Sequence, residues 1–386
     1  MTKQIISFFL VLFIAVFALA VTGGLYGYVG WGLGVGHEHD AWVYGALGLH
    51  FLSLPWVFVC SRFGRRNRWV VALYWWAFLG LGLLWLLLVG LFTRDVLAWI
   101  FSHQGGLDYL GSETAARHST LLVAATVLLL GLRGVYNVSH TPKVRRTRVG
   151  FSKLPEGLEG FRVVQITDLH VGQTLGAQWL DRVVDLVNAQ DPDLVAITGD
   201  LVEGRVAEVG GLVSGLARLK ARHGVFFVTG NHEYYHGAEA WVAELKRLGI
   251  DVLLNRHCVI QRQDARLLVA GVADWDAARF SPDQASDPVK ALAGAPPVDL
   301  KLLLAHQPRS APAASQAGFD LQLSGHTHGG QIFPFHLLVP MQQPYRQGLH
   351  TLGNMQIYVS RGTGYWGPPI RLGAPAEVSV LELTEV

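Results

Sequence analysis

Residues Trp69–Phe92 form an unbroken run of 24 residues with no charged side chain, and the run contains LGLGLLWLLLVGLF. About 20 apolar residues in a helix cross the hydrocarbon core of a bilayer, where the backbone must satisfy its own polar groups. We therefore expect this run to be a membrane-spanning helix.

Three more apolar segments precede residue 140. Ile5–Val21 and Ala41–Cys60 carry no charge, and Ser119–Val138 contains Arg133, whose long side chain can extend toward a membrane surface. The sequence therefore predicts a transmembrane region of about four spans over residues 1–140.

Basic residues indicate the orientation of these spans. They cluster in SRFGRRNR after the second run and in TPKVRRTRVG after the fourth, and cytoplasmic loops are rich in Lys and Arg. We expect an integral, multi-pass protein of the plasma or bacterial inner membrane, with the catalytic domain in the cytoplasm. Cleavage of the first run as a signal peptide would not change that side, whereas loss of the fourth span would.

The composition of the whole chain excludes some classes of protein. Mean hydropathy is +0.30, and 51% of the residues are hydrophobic. A net charge of +2 provides no electrostatic basis for nucleic-acid binding, and two cysteines do not make a disulfide framework. We expect no nucleic-acid partner, and the sequence leaves the oligomeric state open.

After a basic juxtamembrane linker at residues 141–160, residues 161–386 alternate between short apolar runs and amphipathic segments. Helices are expected at Ala177–Ala189, Ala207–Arg222 and Gly237–Leu248, with a surface excursion at Ala277–Pro297. The expected strands are FRVVQIT, DLVAITG, GVFFVTG, RLLVAGV, KLLLAH and FDLQLSG. This alternation predicts an α/β domain built from βαβ units.

Five of these strands end in Asp, Asn or His. The residues are Asp168, His170, Asp200, Asn231, His232, His306, His326 and His328. Open α/β sheets bind ligands at the carboxyl ends of their strands. Without thiolates, this donor set suits Mn, Fe, Zn, Co or Ni. Apart from His232, the set contains two carboxylates, one amide oxygen and four imidazoles. These seven candidate ligands are too many for one ion but fit two divalent ions that clamp a phosphoryl group and activate a water molecule.

The series DxH, GD, GNHE, H and GHTH, together with GHTHGGQI and VSRGTGYWGPPIRLGAPAEVSVLEL, resembles the calcineurin-like metallophosphoesterase superfamily. The resemblance is closest to its YkuE- and YaeI-like branch and to transmembrane proteins with a metallophosphoesterase domain. It implies a four-layer α/β/β/α sandwich. It assigns Asp168, His170 and His328 to the first metal, Asp200 to both as a bridge, and Asn231, His306 and His326 to the second. His232 becomes the general acid or the stabiliser of the leaving group.

Two positions depart from the pattern of the family. GDLVE places Glu203 where a second aspartate is common, and Arg309 follows Pro308 where an aspartate often stands. Together with Glu233, these residues are candidates for supporting the ligands or contacting substrate. Arg309 could bind phosphate through two hydrogen bonds or point into solvent.

The resemblance implies a metal-dependent phosphoric ester hydrolase, with pyrophosphate as a further substrate type. The predicted membrane anchor favours a lipid-linked substrate such as UDP-2,3-diacylglucosamine, which related enzymes of lipid A biosynthesis hydrolyse. Two alternatives stay open: a membrane sensor or transport module whose phosphoesterase-like domain is inactive, and a nuclease, which the absence of a basic groove disfavours.

Other polar residues have simpler interpretations. HEHD at His37–Asp40 is expected to be solvated in an outside loop, and His50 to pack as a neutral side chain between helices. Tyr234, Tyr235 and His236 follow the GNHE motif and either line the site or pack against it.

Overall fold

The computed structural model describes residues 21–34, 40–63, 67–103 and 113–386. The chain divides into two units, residues 1–133 and residues 134–386. The division falls inside a helix, so its last turns, Gly134–Ser139, belong to the second unit. The predicted boundaries at residues 140 and 160 stay predictions.

The described part of the first unit is helical. Its helices are α1 (residues 21–34), α2 (Asp40–Phe63), α3 (Arg68–His103) and α4 (Glu113–Ser139), which continues into the second unit. Two segments are long and apolar enough to cross a membrane, Arg68–Phe101 and Thr114–Ser139. They correspond to the third and fourth predicted spans.

The first and second predicted spans do not correspond to candidate spans in the described residues. The apolar part of α2, Ala41–Val57, is shorter than a span. The first predicted run lies outside the described residues except for Val21, which begins the described part of α1. Among the described residues, the structure shows N-terminal helices with two candidate spans, and the finer expectation of about four spans stays a prediction.

Residues 21–34, between the first two predicted spans, are helical although they are rich in glycine. Small residues let helices in apolar surroundings approach closely. A Cβ added at Gly30 would overlap the Tyr44 ring, and one added at Gly32 would lie 2.9 Å from Leu91. Of the HEHD motif, only Asp40 lies within the described residues.

His50 is buried among the helices of the first unit, as expected. Its Nδ1 lies 2.6 Å from the Tyr26 hydroxyl, and its Nε2 lies 3.0 Å from the carbonyl oxygen of Ala77. Both ring nitrogens therefore have local partners, and the ring serves packing between helices.

The second unit contains two six-stranded sheets. The first sheet has the order β1-β12-β2-β3-β4-β5 and the second has the order β10-β11-β9-β8-β7-β6. The strands are β1 (Lys143–Phe151), β2 (Arg162–Ile166), β3 (Leu194–Thr198), β4 (Val225–Val228), β5 (Asp251–Val252), β6 (Arg256–Arg262), β7 (Ala265–Gly271), β8 (Leu300–Leu304), β9 (Leu321–Ser324), β10 (Gly348–Leu352), β11 (Met355–Val359) and β12 (Glu377–Glu385). Strands β2, β3 and β4 pair in parallel, as do β7, β8 and β9.

Residues 141–160, treated above as a linker, contain β1. This strand is at the edge of the first sheet and pairs in parallel with β12. Basic side chains such as Arg145 and Arg146 lie along it, and charged residues on an edge strand discourage pairing with other chains. The basic cluster thus has a role in the sheet.

Three large apolar clusters contribute to the core of the second unit. One lies between the first sheet and the helices beside it, a second includes side chains from both sheets, and a third covers the other side of the second sheet. The helices are α5 (Ala177–Asn188), α6 (Val206–Val209), α7 (Asn231–His236), α8 (Ala238–Arg247), α9 (Pro288–Ala291) and α10 (Ala311–Ala317). The predicted mixed α/β fold is confirmed.

The helix predicted at Ala207–Arg222 is mostly a 3₁₀ helix. Only α6 is α-helical there, and Gly210–Arg218 follows as 3₁₀. Three glycines within nine residues weaken an α-helix, because glycine loses more backbone entropy than other residues on ordering.

Candidate metal centre

The polar strand ends of the two sheets converge on one site. Loops after β2, β3 and β4 come from the first sheet, and loops after β8 and β9 come from the second. Parallel neighbours end at the same edge of a sheet, so each sheet delivers its loops together. The site therefore combines residues separated by up to 160 positions in the chain.

One ligand set consists of Asp168, His170 and His328, whose donor atoms lie within 4.8 Å of one another. Nε2 of His170 is 3.1 Å from Nε2 of His328, which is 3.4 Å from Oδ1 of Asp168. All three side chains are buried. These are the residues predicted for the first metal.

A second set consists of Asp200, His306 and His326. Nε2 of His306 lies 3.1 Å from Oδ2 of Asp200 and 3.2 Å from Nδ1 of His326. Nδ1 of His306 is 2.8 Å from the carbonyl oxygen of Thr198, which turns Nε2 toward the site. Asp200 also groups with His170 and His232, so its carboxylate stands between the two sets.

Asn231, at the start of α7, completes the predicted ligands. Its Oδ1 is buried without a hydrogen-bond donor. A buried amide oxygen with no partner costs free energy, and a cation beside it removes that cost. This orphaned oxygen and the donor sets of the two clusters fit divalent metal ions.

The histidines of the site with a shifted pKa fall into two groups, those whose pKa is lowered and those whose pKa is raised. Burial lowers the pKa of His326 to about 3 and holds the pKa of His328 well below its usual range, where nearby cationic groups add to the effect. Neutral imidazole is the form that binds metals. Burial alone would also lower the pKa of His306, but the charge of Asp200 raises it well above its usual range.

The backbone is strained where the ligands lie. Nine described non-glycine residues have positive φ, and five of them are ligand candidates. Those five are Asp168, His170, Asp200, His326 and His328. Such conformations are uncommon for side-chain-bearing residues, and they cluster at functional sites. The strained backbone at these residues costs folding stability, and it directs their side chains toward one site.

Two glycines allow the loops to approach this closely. A Cβ at Gly230 would overlap Oδ1 of Asp200 and lie 2.5 Å from its backbone nitrogen. A Cβ at Gly325 would overlap Oδ2 of Asp168. In both motifs glycine is required because the neighbouring loop occupies the space of a side chain.

Glu203, the residue that replaces the common aspartate, contacts three histidines. Its Oε1 lies 2.7 Å from Nδ1 of His170 and 2.7 Å from Nδ1 of His232, and its Oε2 lies 3.4 Å from Nε2 of His236. Burial raises the pKa of Glu203, but the histidines outweigh burial and hold it well below its usual range. The charged carboxylate therefore orients a ligand candidate and the catalytic candidate together.

His232 stands beside Asp200, with Nε2 3.9 Å from Oδ2. Burial lowers the pKa of His232, but the charges of Asp200 and Glu203 outweigh burial and raise it to about 9. The side chain thus holds a proton at neutral pH, as a general acid must.

Glu233 is fully buried and braces the loops from within. It accepts hydrogen bonds from the backbone nitrogens of Asp200 (3.0 Å), Leu201 (2.8 Å) and Gly230 (2.6 Å). Burial, reinforced by the charge of Asp200, raises its pKa to about 8. Its position supports the loops rather than reaching substrate.

Arg309 faces the site. Its guanidinium lies over the Trp275 ring at 5.8 Å, its Nε is buried without a partner, and its charge lowers the pKa of His326. The phosphate contact that the sequence allows for Arg309 stays a prediction.

Of the two tyrosines after GNHE, one packs in the interior and the other lies at the site. Tyr234 is buried, and its hydroxyl donates to Gln284 at 2.9 Å, so it packs. Tyr235 is exposed and meets His232 edge-on at 5.1 Å. Trp366 is also exposed, 6.2 Å from the same ring. An aromatic rim therefore borders His232.

Sequence reasoning missed Arg371, which is completely buried. Nη2 lies 3.1 Å from Nδ1 of His328, and Nε and Nη1 donate to the carbonyl oxygens of Gly364 and Ala374. Burial lowers its pKa to about 10. The signal available was an arginine inside the apolar tail PPIRLGAP, where charge is unexpected.

A buried polar network behind His306 was also missed. Nε2 of Gln307 donates to both oxygens of Asp274 at 3.0 Å, and Oε1 of Gln307 accepts from Gln343 at 3.1 Å. Burial raises the pKa of Asp274 to about 6. No motif marks these residues in the sequence.

Comparison with known proteins identifies the family. Residues 161–330 match the calcineurin-like phosphoesterase family. An uncharacterized metallophosphoesterase of Helicobacter pylori is 40% identical over 281 residues, which cover 72% of this chain and 74% of the relative. This chain belongs to the calcineurin-like metallophosphoesterase family. The predicted enzyme class, a metal-dependent phosphoester hydrolase, is thereby confirmed.

Two further relatives agree with the predicted branch of this metallophosphoesterase family. A Danio rerio transmembrane protein with metallophosphoesterase domain is 36% identical over 69% of this chain and 63% of its own length. Bacillus subtilis YkuE, an uncharacterized metallophosphoesterase, is 28% identical over 64% of this chain and 87% of its own length. The chain thus spans somewhat less than two thirds of the Danio rerio protein.

Proposed function

We propose that this metallophosphoesterase is anchored in a membrane, holds two divalent metal ions and hydrolyses a phosphoester or pyrophosphate carried by a lipid. The observation that carries the proposal is the convergence of six donor residues from two sheets into two clusters, with the carboxylate of Asp200 between them. The metals would be held by Asp168, His170 and His328 on one side and by Asn231, His306 and His326 on the other. Asp200 would bridge them.

Two such ions, when bound, neutralise the charge of a phosphate and lower the pKa of water. The chain itself supplies the rest of the chemistry. Arg309 is placed to orient a phosphate oxygen, and His232 carries the proton that a leaving oxygen needs. Glu203 keeps His232 charged and holds it in place. We expect these groups to act together on one phosphorus–oxygen bond.

A lipid-linked substrate is supported by two observations. The described part of the chain has two helices long and apolar enough to span a bilayer. The aromatic rim of Tyr235 and Trp366 lies beside His232, and Phe280 packs against Tyr235. Aromatic side chains suit an amphipathic substrate because each offers an apolar face. UDP-2,3-diacylglucosamine stays the first specific compound to test.

The test is a hydrolysis screen of lipid phosphates and nucleotide sugars with added Mn²⁺, comparing wild type with Asp200→Asn. Asp264→Asn is the matched control, because Asp264 is exposed in the turn before β7, at the sheet edge opposite the site. We expect Asp200→Asn to abolish hydrolysis of whichever substrate turns over and Asp264→Asn to retain it. Equal activity in wild type and Asp200→Asn would remove the proposed site.

The same screen addresses the alternative of an inactive sensor. Metal-loaded wild type that hydrolyses no member of a broad panel of phosphate esters would favour that alternative. The retention of all seven donors and of His232 argues against it.

A further inference from the structure

An apolar loop at residues 333–341 lies directly after the GHTHGG motif. Five of its large side chains are exposed, between 45% and 84%: Phe333, Phe335, Leu337, Leu338 and Met341. No charged residue occurs from Gln331 to Tyr345. Contiguous apolar surface of this kind is uncommon on water-facing parts of a protein and marks a surface that something else covers.

The apolar loop is attached to the ligand loops at both ends. At its start, Gly330 comes so close to His336 that a Cβ would overlap the backbone there. At its end, Gln343 accepts a hydrogen bond from the backbone nitrogen of Arg309 at 3.2 Å and donates to Gln307 at 3.1 Å. The loop therefore has a set position next to His328 and His306.

Hydrogen bonds also connect the base of the apolar loop with the end of α4. Within the second unit, Nδ2 of Asn137 donates to the carbonyl oxygen of Arg371 at 2.8 Å, and the backbone nitrogen of Arg371 donates to the carbonyl oxygen of Gly134 at 3.3 Å. The next residue, Leu372, accepts from the nitrogen of Phe333 at 3.0 Å. Residues Arg371 and Leu372 thus connect the base of the apolar loop with the C-terminal end of α4.

The length of the candidate span places that helix end at a membrane surface. Thr114–Ser139 has 26 residues, about 39 Å at 1.5 Å per residue, whereas the hydrocarbon core is about 30 Å thick. The excess corresponds to roughly six residues. Because Arg133 is expected to extend toward a membrane surface, we place this excess at the C-terminal end. Gly134–Ser139 would then lie in the interfacial layer, where a tyrosine such as the exposed Tyr136 is favoured.

We propose that the apolar loop 333–341 inserts into the interface of the bilayer that holds α4, beside the metal centre. The inference rests on the proposed membrane anchoring. A lipid surface fits better than a peptide because the loop offers no charge for a polar partner and lies next to the helix end. Apolar side chains at such a depth gain free energy from burial in the acyl boundary.

The loop would deliver substrate from the lipid surface to His232. Gln331 links the two, because its Nε2 donates to the carbonyl oxygen of Trp366 at 2.8 Å and its Oε1 accepts from the nitrogen of Trp366 at 3.0 Å. Trp366 stands between the loop and His232 as part of the aromatic rim. A lipid-borne phosphoester would enter from the bilayer surface while its chains stay in lipid.

The experiment measures depth in a bilayer with the full-length chain. Cys60 and Cys258 are replaced by Ala and Ser, and single cysteines at Leu337 and Met341 carry an NBD fluorophore. Val289→Cys is the matched control, an exposed apolar residue of the same unit in α9. The protein is placed in phosphatidylethanolamine–phosphatidylglycerol vesicles with or without bromine on the acyl chains.

We expect brominated chains to quench the labels at 337 and 341 by about half, because interfacial segments lie roughly 5–10 Å into the boundary. The label at 289 should keep its fluorescence. Equal quenching at 289 and 341, or none at either, would overturn the inference. If the variant at 337 does not fold, Met341, which is 84% exposed, carries the test alone.

Hydrolysis of bis(para-nitrophenyl) phosphate with Mn²⁺ in the same preparations separates the two proposals. If the protein is active but its loop labels are not quenched, insertion of the apolar loop is refuted and the proposed phosphoesterase function is kept. If the protein is inactive but its loop labels are quenched, insertion of the apolar loop is supported and the proposed function is contradicted.

Discussion

Nδ1 of His170 donates a hydrogen bond to Oε1 of Glu203 at 2.7 Å, across 33 positions of the chain. Because Glu203 is ionised, this bond leaves the lone pair of His170 on Nε2, which faces His328. The same carboxylate oxygen touches His232. One glutamate thus sets both the orientation of a ligand candidate and the charge of the candidate acid.

Glu203→Gln should lower hydrolysis about 10- to 100-fold, the usual effect of losing a group that orients metal ligands. It should also shift the alkaline limb of the pH–rate profile downward. The charge of Glu203 helps raise the pKa of His232 to about 9, so without it His232 loses its proton at lower pH. Glu203→Asp keeps the negative charge and should return the alkaline limb toward its wild-type pH. Identical pH–rate profiles in wild type and Glu203→Gln would contradict the role of Glu203 in raising the pKa of His232.

Asn231→Ala should reduce the metal content of the purified protein from two ions per chain to one. The side chain supplies a buried oxygen without a hydrogen-bond donor, and we propose that it completes the set of Asp200, His306 and His326. Metal analysis by mass spectrometry measures the change. Asn188→Ala, at the end of α5, is the control and should retain both ions; full occupancy in Asn231→Ala would exclude Asn231 as a ligand.

Gly230→Ala should destabilise the second unit by about 1–3 kcal/mol, because an inserted methyl group must displace its neighbours. Those neighbours are Oδ1 and the backbone nitrogen of Asp200, so activity should fall as well. Gly211→Ala is the matched control, since a Cβ there meets nothing within 4 Å. Thermal unfolding and hydrolysis are compared, and equal behaviour of the two variants would count against the close approach of the loops.

Arg371→Lys should lose about 3 kcal/mol of stability, as expected when a buried hydrogen-bonded charge loses its partners. Lysine cannot reproduce the planar fork that reaches Gly364, Ala374 and His328. Metal binding at the His328 set should weaken in parallel, which metal titration measures. Arg266→Lys, at the exposed start of β7, should change neither property; a stable, fully metal-loaded Arg371→Lys would show that the fork is dispensable.

The sequence by itself determined the local elements and the chemical identity of the site. Buried strands such as β2, β3 and β4 are short apolar runs that parallel sheets require on both faces. The residues that end them carry donor groups at positions where α/β sheets bind ligands. Asp168, Asp200, His306 and His328 could therefore be predicted as ligands from strand ends and the resemblance alone.

Only the tertiary structure decided which residues support that site. Arg371 contacts His328, and Asp274 hydrogen-bonds Gln307, through contacts between distant segments that leave no periodic signal in a sequence. The helical state of residues 21–34 was likewise decided by packing, because glycine lowers helix propensity in isolation yet permits close approach between helices. Sequence periodicity predicts which face of a helix or strand is buried. Contacts between residues that are distant in the chain depend on how the two sheets and their loops come together.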